Sequence, residues 1–133
     1  MVTVLAPLQY CPKLDYDNLS PRITPSKIEA LRKRCEDFDR DPESIEISQQ
    51  CTIVLAESQD AAGAALEKAK KVYGGHMGSA LDAHGIWGGP EGVIEGIERH
   101  RALGVSLFVI EFFGRDTREP AKLFAETVMP AFA

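Results

Sequence analysis

Gly88-Gly89-Pro90-Glu91 opens a helical run that ends at Leu103, and Gly104-Val105-Ser106-Leu107-Phe108-Val109-Ile110 follows at once. Asp116-Thr117 then precede a second helical run, which stops at Val128-Met129-Pro130. Pro90 suits the first position of a helix, Val93, Ile94, Ile97 and Leu103 give an apolar face, and Gly104 marks the C-terminal stop. The stretch from Val105 is predicted to be a buried, parallel-type strand, and Leu123, Phe124 and Val128 the buried face of the last helix. Helix, buried strand and helix make the repeating unit of α/β barrels. A complete (β/α)8 barrel takes about 250 residues, whereas this chain has 133. The predicted fold class is therefore α/β, a partial TIM (β/α)8 barrel comprising about the last two to three β/α units with parallel strands.

Working toward the N-terminus, Ser58 is placed to cap a helix with Asp60 in its first turn. Ala62, Ala65, Leu66, Ala69, Val72 and Tyr73 form its buried face, and Gly74-Gly75 is predicted to end it. Before it, Ile45 to Ala56 reads as a strand. Ile45 and Ile47 are expected inward against Glu46 and Ser48, and Cys51-Thr52-Ile53-Val54-Leu55-Ala56 is apolar enough for cover on both faces. Thr24-Pro25-Ser26 opens an earlier helix, with Ile28, Leu31, Cys35 and Phe38 on one face and Arg40-Asp41-Pro42 at its end. Met1 to Tyr10 could hold a short strand, cut by Pro7 and Pro12, and Cys11 to Pro25 reads as a loop. His76 to Gly89 carries no clear pattern. Strands alternating with helices predict parallel strands joined by crossovers, in consecutive order in the sheet.

The composition narrows the function. A net charge of −5 argues against a general nucleic-acid binder, which usually presents a basic face. No apolar run reaches the 18 or more residues of a membrane span, and Met1 to Leu8 lacks the basic flank of a signal peptide. Cys11, Cys35 and Cys51 are odd in number and unpatterned. Cys35 and Cys51 read as small core residues, and reduced thiols without a signal suggest the cytoplasm.

Three places could carry chemistry. Gly88 and Gly89 precede a helix N-terminus, where free N–H groups and the dipole could hold a phosphate of a cofactor. The spacing matches neither the dinucleotide fingerprint nor the P-loop, Glu91 would oppose an anion, and a structural helix start is the plain alternative. Glu111 lies at the C-terminal end of the last strand, which in a barrel is the active-site rim, so it is a candidate for ligand contact; pairing with Arg115 or Arg118 is the alternative. Trp87, Phe112 and Phe113 could line a flavin-sized pocket or simply fill a core. His76, Asp82 and His84 are too widely spaced to predict a metal, and His100 suits the C-terminal end of its helix. No residue is assigned a catalytic role.

Four stretches taken together resemble the C-terminal portion of the bacterial luciferase-like superfamily of flavin- or deazaflavin-dependent (β/α)8 oxidoreductases. They are Asp15-Tyr16-Asp17-Asn18; Cys35 through Arg40-Asp41-Pro42-Glu43-Ser44-Ile45-Glu46-Ile47-Ser48; Gly89-Pro90-Glu91-Gly92-Val93; and Ala102-Leu103-Gly104-Val105 with Phe108-Val109-Ile110 and Leu123-Phe124-Ala125-Glu126 to Pro130. The resemblance covers roughly Asp15 to Ala133, with Met1 to Leu14 divergent, and makes residues 1–133 a single partial luciferase-like barrel domain. Asp39 stands where the family tends to have glycine, so the helix there must end without an easy left-handed residue. Strands one to five, which carry most cofactor and substrate contacts in the family, have no counterpart here.

The resemblance implies a fragment of a luciferase-like monooxygenase or oxidoreductase. It would use flavin (FMN) or the deazaflavin coenzyme F420 for hydride or oxygen chemistry on a small-molecule substrate, and would be inactive alone. The alternative is a non-catalytic half-barrel that forms a homodimer or completes a partner's barrel. A sheet order other than consecutive would instead favour an unrelated small α/β domain.

Overall fold

Pro25 begins α1 (Pro25–Asp37), as its fixed φ favours at a first helical position. The computed structural model describes residues 25–77, 81, 85–114 and 116–133. The expected strand in Met1–Tyr10, the loop from Cys11 and the Asp15–Asn18 segment lie outside the described residues, as do Asp82, His84 and Arg115 and the side chains of Tyr73 and His76. Ile28 and Cys35 are buried and Leu31 half-buried, so the helical stripe is present. Phe38, expected as its fourth member, is 79% exposed. The helix ends just before it, and the chain turns away there. The Asp39 N–H donates to the Glu36 carbonyl (3.1 Å) and the Arg40 N–H to the Cys35 carbonyl (2.8 Å), with Asp39 at φ 49°. This is a Schellman turn with aspartate in the left-handed position. Asp41 then accepts from the Glu43 N–H (3.0 Å) and starts a short 3-10 turn, Pro42–Ser44.

The next segment gives β1 (Ile47–Leu55), with Thr52, Ile53, Val54 and Leu55 all buried, as the continuous apolar run predicts. The expected alternation before it is absent: Ile45, Glu46, Ile47 and Ser48 are all half-buried. Two further strands follow, β2 (Ile86–Gly88) and β3 (Val105–Phe112). β2 has no signature in the sequence, because three residues are too few to display a period.

The strand order is β2-β1-β3, which differs from the consecutive order expected of barrel units. β1 and β2 run parallel, with Ile53 opposite Ile86, Val54 opposite Trp87 and Leu55 opposite Gly88. Ladder length accounts for the order. The three residues of β2 offer β3 a short edge, whereas the nine of β1 offer a long one, and each added backbone pair satisfies groups that would otherwise need water. β3 is thereby an edge strand among the described residues, and it is not the buried strand predicted. Val105 is buried, but Leu107 and Val109 are 41% and 51% exposed, alternating with half-buried Phe108, Ile110 and Phe112.

The chain divides into two compact units, Met1–Gln50 with His100–Val109, and Cys51–Arg99 with Ile110–Ala133. In the first, Gly104 (φ 95°) takes the left-handed turn into β3, as its role as a helix stop predicts.

In the second unit, Ser58 caps α2 (Gln59–Met77), its hydroxyl accepting from the Ala61 N–H (3.3 Å). Ala62, Leu66 and Ala69 are buried, while Val72, expected on the same face, is 72% exposed. The helix passes through Gly74-Gly75 and does not stop there. A glycine inside a helix costs only about 1 kcal/mol relative to alanine, which neighbouring turns can absorb. Val54, Leu66, Ala69 and Leu81 form a core against which Ala65, Trp87 and Phe113 pack.

Two further helices among the described residues are α3 (Pro90–Arg101) and α4 (Arg118–Thr127). Val93 and Ile97 of α3 are buried. Leu123 and Phe124 of α4 are half-buried, and Val128 beyond its end is fully buried. The Phe124 ring meets Phe112 edge-on, with centroids 5.3 Å apart.

Candidate functional site

Within the second unit, the C-terminal ends of all three strands meet at one edge. The Ala56 N–H donates to the Gly88 carbonyl (3.3 Å), and the Phe113 N–H to the Ile53 carbonyl (3.0 Å). In α/β folds this is the edge at which ligands are bound, because the β-to-α turns and helix N-termini gather there. The rim is built from Glu57 and Ser58 after β1, Gly88 at the end of β2 with Gly89 after it, and Phe113, Gly114 and Asp116 after β3.

Gly88 and Gly89 are both buried in the turn that leads into α3. Gly88 has φ 146°, and a Cβ there would lie 2.8 Å from Oε1 of Gln59. The Gly89 N–H donates to that same oxygen at 3.2 Å. The backbone of Ser58 and Gln59 comes so close that a Cβ at Gly89 would lie 3.5 Å from each. The turns after β1 and β2 therefore pack directly against each other. Gln59 was not among the residues singled out from the sequence. Its signal lay in Gly92, which leaves the third position of α3 without the side chain that often caps such a helix.

Glu111 is exposed, one residue before the end of β3. Arg118, a candidate partner for it, is taken by Asp116: the guanidinium Nε and Nη2 reach the two carboxylate oxygens at 3.0 and 2.8 Å. Asp116 Oδ1 also accepts from the Arg118 N–H (3.0 Å), so Asp116, and not the hydroxyl of Thr117, serves the free N–H groups of α4. These bonds, that of the guanidinium first, hold the Asp116 carboxyl below its usual range.

The aromatic residues of the rim are half-buried, Trp87 and Phe113 packed against the core and Phe112 against Phe124. His100 is buried, with its ring edge-on to Phe108 (centroids 6.2 Å apart). Cys35 is buried, and burial pushes the Cys51 thiol up to about 11, as suits small core residues and not nucleophiles. Among the described residues no group of three or more histidine, cysteine, aspartate or glutamate side chains is arranged for a metal ion. A groove of about 400 Å³ lined by Pro25, Ile28, Glu29, Arg32, Ala102 and Leu103 belongs to the first unit, not to the rim. No helix among the described residues is long and apolar enough to cross a membrane.

No protein-family model matches the chain, and no curated protein matches it significantly. Solved structures do match, and they share the chain's α/β fold over part of their own length. One is the coenzyme F420-dependent tetrahydromethanopterin reductase of Methanopyrus kandleri, with TM-score 0.55 and 18% identity over 83% of this chain and 43% of that one. Another is the monooxygenase RslO1 of Streptomyces bottropensis, with TM-score 0.55 and 22% identity over 86% of this chain and 40% of that one. The chain thus spans less than half the length of either structure. At these identities the likeness is one of fold.

Proposed function

We propose that this chain forms part of a luciferase-like oxidoreductase and contributes a section of the wall around a flavin (FMN) or deazaflavin (coenzyme F420) site. The observation that carries the reading is the gathering of three strand ends at one rim, on a fold shared with a coenzyme F420-dependent reductase and a monooxygenase. When bound, such a cofactor accepts or delivers hydride or activates oxygen. Glu111, exposed near the end of β3, is the side chain we place toward the ligand. Gly88 and Gly89 shape the rim, and the Gly89 N–H is not open to a phosphate because it is already bonded to Gln59. Trp87, Phe112 and Phe113 are half-buried, with Trp87 and Phe113 packed on the core and Phe112 on Phe124. With Leu107, Val109 and Glu111 exposed along β3, turnover is expected to require further cover. Titration of the purified protein with FMN and with coenzyme F420, followed by a reductase assay, tests this. Weak or absent binding is expected, and micromolar affinity with turnover would overturn the claim of dependence on further cover.

The second reading is a non-catalytic half-barrel that dimerises or completes a partner's barrel. The order β2-β1-β3 by itself counts toward an unrelated small α/β domain. What favours pairing is the exposure of Leu107 and Val109 along β3, which a second surface would cover. A discrete dimer in size-exclusion chromatography with light scattering supports this reading, and a monodisperse monomer counts against self-pairing.

A further inference from the structure

Gly89 is the N-cap of α3, since the Val93 N–H donates to its carbonyl at 3.1 Å. In a capping box, a glutamate or glutamine three residues after the N-cap folds back to accept the N-cap's own N–H. In α3 that residue is Gly92, which has no side chain. A Cβ at Gly92 would lie 3.3 Å from Oε1 of Gln59, so the carboxamide of Gln59 stands in the space a side chain at position 92 would use. It makes the bond that such a side chain would make, accepting the Gly89 N–H at 3.2 Å from 30 residues away in sequence. Gly88 keeps the remaining side of the socket clear, as a Cβ there would lie 2.8 Å from the same oxygen.

We propose that Gln59 is a positioning residue that caps α3 from outside the helix and closes the Gly88–Gly89 turn to phosphate. A phosphate at a helix N-terminus is held by backbone N–H groups that lack another acceptor. Here the protein's own carboxamide supplies the oxygen to the Gly89 N–H, and Pro90, next in line, has no N–H to offer. Glu91 adds a negative charge in the same first turn. The contact also fastens the turn after β1 to the turn after β2, so the rim keeps one shape. The inference concerns the chain's own turn and does not depend on the cofactor reading.

Nitrogen-15 NMR on the whole chain tests the proposal, using the wild type, Gln59→Ala and Gln59→Glu with inorganic phosphate as the probe. Hydrogen exchange at the Gly89 amide is expected to quicken about fivefold in Gln59→Ala, the size of one net hydrogen bond, while the Ile97 amide within α3 keeps its protection. Gln59→Glu restores an acceptor, so protection at Gly89 returns at neutral pH and declines as the new carboxylate is protonated. A purely packing role would show no such pH profile. Added phosphate should move the Gly89 resonance in Gln59→Ala and leave the wild type unchanged. Equal exchange at Gly89 in wild type and Gln59→Ala overturns the capping role. A phosphate response in the wild type as large as in Gln59→Ala, or none in either, overturns the closing role.

Discussion

An alanine at position 96 should strengthen α3 if only helix propensity acted, since glycine in a helix interior is about 0.8–1.0 kcal/mol worse than alanine. The packing of α3 on β2 predicts the opposite sign. A Cβ at Gly96 would lie 2.9 Å from Cγ2 of Ile86 and 3.4 Å from its Cγ1. Ile86 is 1% exposed and β-branched, so it has little freedom to withdraw. Overpacking of this kind costs about 1–3 kcal/mol, and setting the propensity gain against it leaves Gly96→Ala destabilising by about 0–2 kcal/mol. Ile86→Ala removes both clashing atoms. In that background the same Gly96→Ala substitution should stabilise by up to about 1 kcal/mol. The cycle therefore predicts a coupling of about 1–3 kcal/mol between the two positions. Urea unfolding followed by circular dichroism at matched m-values reads all four corners. If Gly96→Ala stabilises the wild type as much as it stabilises the Ile86→Ala protein, the seating of α3 on β2 is wrong, and with it the placement of β2.

Asp39→Gly is expected to raise stability by about 1 kcal/mol, because it relieves a left-handed aspartate and removes a negative charge from the C-terminal end of α1; no gain in urea midpoint would refute the Schellman turn. The Asp116 carboxyl should titrate by NMR below the ordinary aspartate value, and Arg118→Ala should bring it back up. Its folded-state value is depressed, so its contribution to stability is present above the unfolded-state value and fades as pH falls through the folded one. An unshifted titration in the wild type would count against the bidentate pair.

What the sequence displayed were features decided by neighbours in the chain. Pro25 and Ser58 announced helix starts, Gly104 announced a stop, and the run Thr52 to Leu55 announced a strand buried on both faces, because each depends on local dihedrals or local hydrophobicity. What it hid depends on distant pairing. Ile86-Trp87-Gly88 becomes a strand only because Ile53 to Leu55 lie alongside it. Phe38 and Val72 continue apolar stripes by spacing, yet both are exposed. Phe38 lies beyond the point where α1 ends. The rim was legible as glycines before a helix and a carboxylate at a strand end. Gln59 was not, because it acts on a turn 30 residues later.

The strand order bears directly on function. In a closed barrel each strand is covered by side chains within and by helices outside. β3 has instead taken the long edge of β1, and Leu107, Val109 and Glu111 along it are exposed. Hydride and oxygen chemistry on a reduced flavin requires water to be excluded from the reacting centre. A strand with alternate side chains in solvent cannot provide that exclusion by itself. If Glu111 does face a cofactor, the surface that dries the site must be supplied to β3 from beyond the described sheet. Binding and turnover should then appear together with whatever covers Leu107 and Val109.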